Sequence, residues 1–174
     1  DVNAVALVYA RGVAEATGVS DATADVSMSS ASANATGIYV GGGSLGGSFI
    51  NSGDVMAIAG AVVVNSAFAL AESGSARAET SIDDEVSAYA TGIYVGINMI
   101  AGDFENSGNV IAGAGAVAFG VAEATGGSYA KAEASSSDIT AEALGIGFYS
   151  DSMGGDFTNS GDVMAIAAAA AVNG

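Results

Sequence analysis

Asn51-Ser52-Gly53-Asp54-Val55-Met56-Ala57-Ile58-Ala59 returns as Asn106-Ser107-Gly108-Asn109-Val110-Ile111-Ala112, and again over 159–167. A phenylalanine stands two residues before each copy: Phe49, Phe104 and Phe157. Outward from this core, Ala35-Thr36-Gly37-Ile38-Tyr39-Val40-Gly41 recurs letter for letter at 90–96 and loosely at 143–148. The segment 12–18 recurs at 120–126, and the middle copy reads as carrying a two-residue insertion before Ala69. The chain therefore divides into repeats 1–53, 54–108 and 109–161, with a fourth begun over 162–174; the three lengths are 53, 55 and 53 residues. Self-similarity at a fixed period marks a unit that buries its apolar face only by stacking on its neighbours.

Within a repeat the period is two. Ala57, Ala59, Ala61, Ala67, Ala69 and Ala71 alternate with Met56, Ile58, Val62, Val64, Phe68 and Leu70. After a turn at Ser73-Gly74-Ser75, the residues Ala76, Ala78, Thr80 and Ile82 alternate with Arg77, Glu79, Ser81 and Asp83. Such alternation predicts β-strands, one region apolar on both faces and the next apolar on one face only. Alanine favours helix intrinsically, yet apolar positions do not recur at i+3 and i+4, and only 165–171 offers a plausible helical turn. The alternation slips at Ser29-Ser30 and at Ser135-Ser136-Ser137, where bulges or corners are expected; Asp83-Asp84-Glu85 reads as a surface corner. The expected result is an all-β fold of two or three sheets on a narrow Ala-rich core, in one domain over 1–174.

Composition bounds the chemistry. The 174 residues include 26 Gly and 38 Ala but no Pro, Cys, Trp or His. Without His or Cys there is no Ser-His-Asp triad, thiol nucleophile, thiolate or imidazole zinc site, or disulfide. Nineteen acids against three basic residues give a formal charge of −16, which excludes nucleic acid as a partner, because no basic cluster can displace phosphate counterions. Half the chain is apolar, which argues against disorder. The longest apolar stretches, over 55–64 and 163–172, fall short of the ~20 residues of a membrane-spanning helix. Residue 1 is Asp and no basic-then-apolar leader opens the chain, so it reads as a mature product or a fragment.

The Phe-x-Asn-Ser-Gly-Asp/Asn-Val endings, followed by alternating Ala and by Ala-Thr-Gly-Ile-Tyr-Val, resemble the Asn-Ser-Gly-x-Ile/Val repeats of bacterial autotransporter passenger regions and related filamentous surface proteins. The resemblance covers the whole chain. It implies a parallel β-solenoid, or β-helix, of about three 53–55-residue repeats, together with secretion and an extracellular or cell-surface location. The 174 residues hold no barrel translocator segment, and alanine stands where such cores commonly carry larger residues. More than one coil per repeat is expected, since a single wide coil each would leave a slab only about 16 Å thick.

Stacking about 4.8 Å apart would lay like residues over like. Asn51, Asn106 and Asn159 are then candidates for an amide ladder, each side chain offering a donor and an acceptor. Asn-Ser-Gly-Asp is equally readable as a turn alone. Phe49, Phe104 and Phe157 would stack beside them. Tyr39 and Tyr94, with Phe148 near the third position, suggest an aromatic edge. Asp54, Asp103, Asp156 and Asp162 lie in loops where backbone carbonyls could complete a calcium shell, the alternative being solvated turn acids. No cofactor other than calcium is suggested. Gly41-Gly42-Gly43 and Gly46-Gly47 lack a following Gly-Lys-Ser/Thr, so they read as flexible loop rather than a phosphate cradle. Paired-carboxylate hydrolysis lacks a stacking Trp and converging acids, and ice binding lacks a Thr-x-Thr array.

Two functions follow as expectations. The first is a structural, non-enzymatic subunit or segment of a surface filament, a homo-oligomer that stacks end to end through unpaired strand edges. The second is an adhesin-like passenger module holding a host, cell-surface or matrix ligand on its apolar or Tyr-bearing face, or through calcium.

Overall fold

Alternation becomes strand wherever the sequence carries it. The computed structural model describes residues 1–83, 85–136 and 138–174, and it is all-β. A first circuit runs through β1 (Val2–Gly18), β2 (Asp21–Met28), β3 (Ala31–Leu45) and β4 (Phe49–Asn51). A second runs through β5 (Val55–Ala71), β6 (Ser75–Ile82), β7 (Val86–Ile100) and β8 (Phe104–Asn106). The third comprises β9 (Val110–Gly126), β10 (Tyr129–Ser136), β11 (Ile139–Tyr149), β12 (Ser152–Met153) and β13 (Phe157–Asn159), after which β14 (Val163–Asn173) begins another.

These strands form four parallel sheets: a long sheet β1-β5-β9-β14, a charged sheet β2-β6-β10, a tyrosine sheet in which β3, β11 and β12 pair with β7, and a short sheet β4-β8-β13. Val2 pairs with Val55, Val55 with Val110 and Val110 with Val163. Partners therefore lie 53 to 55 residues apart, and each repeat supplies one strand to each of the long, charged and short sheets. The two or three narrower coils per repeat expected from the sequence are replaced by one wide circuit. Nor does the middle circuit carry its two extra residues before Ala69, which pairs with Ala16 in an unbroken ladder. One lies between β5 and β6 and the other between β6 and β7, because Asp21 pairs with Ser75 and Ala31 with Val86. A corner absorbs an added residue, whereas within a strand it would turn every following side chain to the opposite face.

The long sheet covers both the charged and the tyrosine sheets. Ala67, Ala69 and Ala71 meet Ala22, Ala24, Ala76 and Ala78 at one end, and Ala57, Ala59 and Ala61 meet Ala33, Ala35, Ala88 and Ala90 further along. Alanine on both sides keeps this layer thin. Beyond it the section widens around Val55, Ile93, Val95, Ile100, Phe104 and Val110, a cluster in which the short sheet packs with the long and tyrosine sheets.

Gly92 makes the transition possible. Thr91 pairs with Thr36 and Ile93 with Ile38, while the glycines between them drop out of the pairing register. Gly92 and Ile93 are both buried, so the chain points inward twice and turns from the thin layer into the wide one. A Cβ on Gly92 would overlap Val110 Cγ1 and lie 2.6 Å from the Gly145 carbonyl oxygen.

The proportions are those of a slab. A 17-residue strand is about 56 Å long, while four rungs span only about 14 Å. The accessible surface of 8477 Å² exceeds the roughly 7,600 Å² of a compact chain of this mass, as a flat body requires. Middle-circuit alanines are sealed by rungs on both sides, whereas Ala4 and Ala6 on β1 are half-buried.

Three local expectations change. The 165–171 segment is strand, because β9 offers its backbone a ladder of partners. Gly41, Gly42 and Gly43 belong to β3 rather than to a flexible loop, with Gly41 paired to Gly96 and Gly42 to Ile97. Ser135 and Ser136 complete β10. Ser29-Ser30 does form the corner between β2 and β3; Asp84 and Ser137 lie outside the described residues. No helix among the described residues is long and apolar enough to cross a membrane.

Candidate functional site

The polar side chains that repeat do not converge on a cleft; they line up along the stacking direction. Asn51 donates from Nδ2 to Asn106 Oδ1 at 2.6 Å, and Asn106 donates to Asn159 Oδ1 at 2.6 Å. The same amides donate to the carbonyls of Gly53, Gly108 and Gly161 at 2.7, 2.8 and 2.8 Å. Turn and ladder thus coexist, since an NH2 group carries two donors. Asn106 is completely buried. The ladder has a direction: among the described residues, Asn51 Oδ1 accepts no hydrogen bond at one end, and the Asn159 amide uses one of its two protons at the other.

The phenylalanines stack beside it, Phe49 on Phe104 with centroids 5.0 Å apart and Phe104 on Phe157 at 4.6 Å. Phe148 meets Phe104 and Phe157 edge-on at 5.5 and 5.2 Å, inside the wide end. It is not the third member of the tyrosine stack. Tyr39 stacks on Tyr94 at 5.4 Å, and Tyr149, two residues beyond the expected register, completes the column at 5.4 Å. Position 147 in that register is Gly, which leaves room for the longer reach of Tyr149.

The four candidate calcium ligands fall in two separate columns. In the first, Asp54 N–H donates to Asp1 Oδ1, Asn109 N–H to Asp54 Oδ1 and Asp162 N–H to Asn109 Oδ1, at 3.1, 2.8 and 3.1 Å. In the second, Asp103 N–H donates to Ser48 Oγ and Asp156 N–H to Asp103 Oδ1, at 3.0 and 2.9 Å. Each acceptor side chain caps a backbone N–H one rung on. No group of three or more metal-ligating side chains occurs among the described residues.

On the charged sheet, Arg77 pairs with Glu79 and Lys131 with Glu133, the latter at 2.7 Å. The Lys131 hydrogen bond holds the Glu133 carboxyl below its ordinary range, and Glu79 holds the Arg77 guanidinium above its own. Tyr89 on β7 donates to Glu85 in the corner before that strand at 2.8 Å, which raises the phenol. These pairs are exposed and strongly hydrated, so they shape the surface more than they stabilise it.

Two buried polar groups lack any repeat motif to announce them. Asn65 points inward between Gly12 and Gly120 and donates to Ser81 O at 2.8 Å, but its Oδ1 has no partner among the described residues. Thr80, 1% exposed, has an Oγ1 without a partner among the described residues. Its rung neighbours are Val26 and Ala134. Thr80→Val should therefore raise stability by about 1 kcal/mol, as the cost of an unpaired buried hydroxyl disappears without a change of shape. Urea unfolding of the two proteins checks this; a loss of stability would show that the hydroxyl is paired.

Comparison with known protein families, with curated proteins and with solved structures gives no match to this chain.

Proposed function

We propose that the chain is a β-solenoid segment of an extracellular, non-enzymatic filament, in which successive 53–55-residue coils continue the same ladders from end to end. The observation that carries this reading is the open polarity of the asparagine ladder: a free acceptor at Asn51 faces one way and a spare amide proton at Asn159 the other. A further coil in register satisfies both. The outer edge of β1 and, once β14 gives up its place, that of β9 supply matching rows of backbone groups, the usual template for strand addition. Within a longer chain the coil begun by β14 is completed by the chain itself. Between separate copies, β1 of the newcomer takes the rung that β14 occupies on β9, so that all four sheets extend together.

Charge opposes this assembly. With a formal charge of −16 and acids aligned in columns, copies repel at low ionic strength, and raising salt from about 0.01 to 0.15 M shortens the Debye length from ~30 to ~8 Å. Negative-stain microscopy should show filaments that lengthen with added salt. Isolated slabs at every salt and protein concentration would contradict the reading. Calcium enters as the same kind of screen; an effect of millimolar calcium that equal magnesium does not reproduce would instead identify Asp54, Asp103, Asp156 and Asp162 as a specific site.

A second reading, an adhesin-like module for a surface or matrix ligand, draws on one observation, the Tyr39-Tyr94-Tyr149 column, whose end members are exposed and whose middle member is half-buried. A specific ligand should bind the single chain with unchanged affinity whether or not filaments form.

A further inference from the structure

The outward face of the long sheet is apolar, whereas that of the charged sheet is polar. Its columns read Val5-Ile58-Gly113-Ile166 and Tyr9-Val62-Val117-Ala170 along the stacking direction. Leu7 is 74% exposed, Tyr9 66% and Ile166 56%. The charges on this face are few and peripheral: Arg11 on the outermost strand, and Glu15 and Glu123 near the far end. The charged sheet on the opposite side carries Asp21, Asp25, Glu79 and Glu133 outward.

We infer that this face is the contact through which two copies of the chain pair, long sheet against long sheet. Size, charge and shape favour a second copy. A face about 56 Å long and four rungs wide offers on the order of 800 to 1,000 Å² per copy, which meets the ~800 Å² per partner of a stable interface and exceeds the few hundred Å² that monomers leave exposed. Two chains of the same high negative charge approach with less repulsion through this face, which carries Glu15 and Glu123 beside Arg11, than through the charged sheet, whereas an anionic membrane has no basic residues here to meet beyond Arg11. The relief is self-complementary as well. Gly113 and Gly115 floor a trough, with no atom within 4 Å of a Cβ on Gly115, between ridges at Ile111 and Val117. A ridge of one copy seats in the trough of the other, as an isologous contact requires. This pairing is lateral and uses no strand edge, so it is independent of stacking.

Sedimentation equilibrium of the intact chain tests it. The wild type should sediment at twice the 16.6 kDa chain mass. Val62→Glu with Val117→Glu should shift the protein to the single-chain mass, while Thr23→Glu with Ser27→Glu, the same charge change on the outward face of the charged sheet, should leave it paired. Should the first variant lose its β-sheet circular dichroism, Leu7→Glu with Ile166→Glu, at highly exposed side chains, replaces it with the same expected loss of pairing. A single-chain mass for the wild type at ~100 μM overturns the inference, as does equal dissociation of face and control variants. If stacking produces polymers, the face variant should halve their mass per unit length; polymers of unchanged mass per length would overturn lateral pairing and leave stacking intact. A discrete dimer with no polymers supports pairing and counts against stacking.

Discussion

Replacing Gly92 with valine is expected to prevent folding of the middle circuit, with a loss of at least about 4 kcal/mol, in the range reserved for strain and overpacking at special positions. A side chain there meets Val110 Cγ1 on one side and the Gly145 carbonyl on the next rung, and neither can retreat: Val110 is sealed in the wide end, and Gly145 is held between Leu144 and Ile146, which pair with Thr91 and Ile93. The proper control is Gly115→Val. Gly115 faces outward on β9 with open space around its Cβ position, and valine suits a strand, so that variant should change stability by no more than about 0.5 kcal/mol. Denaturant unfolding of both proteins decides the matter. Equal, small effects would mean that the inward double step at Gly92 and Ile93 does not shape the circuit.

Asn106→Ala is the second large effect. The buried amide gives one hydrogen bond to Gly108 O, gives another to Asn159 Oδ1 and accepts one from Asn51. Its removal forfeits three bonds and leaves the Gly108 carbonyl without its donor, a loss of about 3 kcal/mol at roughly 1 kcal/mol per net bond. For a chain of this length that is a fall in Tm of roughly 6–12 °C. Asn159→Ala, at the exposed end of the same column, should cost under about 1 kcal/mol because water replaces what is lost. Thermal unfolding followed by circular dichroism reads the difference. Similar losses at the two positions would show that the asparagines act only as turn formers.

Much of this fold is legible in the alternation. Ala57 to Ala71 read inward and Met56 to Leu70 outward because a strand has no other period, and the faithful repeat of Asn51, Asn106 and Asn159 is open to an axial column as much as to a turn alone, a choice only the ladder's geometry makes. The width of the circuit is not legible in the same way. Nothing local tells a 17-residue strand, β5, that its partner lies a whole repeat away rather than some twenty residues on; that is settled by which faces can close over alanine. The corner residues were hidden for a related reason: an extra residue costs little in a turn, so the letters around Glu72 and Glu85 drift while the ladders on either side hold. Gly92 carries its signal in the Thr-Gly-Ile motif, where alternation slips by one, but the slip is read as a bend only once Val110 is seen beneath it. Asn65 and Thr80 repeat in neither neighbouring circuit, so a search for recurrence passes over them.

If copies stack by letting β1 of one occupy the rung held by β14 of the next, a chain ending at Gly161 should assemble faster than the full one, since all four sheets then end level. The decisive quantity is the mass per unit length of the resulting filaments, measured by dark-field electron microscopy. Three rungs of about 4.8 Å per chain require one chain per about 14 Å in each column of slabs, and two chains per about 14 Å where slabs pair through their long sheets. One chain per about 4.8 Å, the value for single strands stacked as in cross-β fibres, or a truncated chain that remains an isolated slab, would contradict end-to-end growth in continuous register.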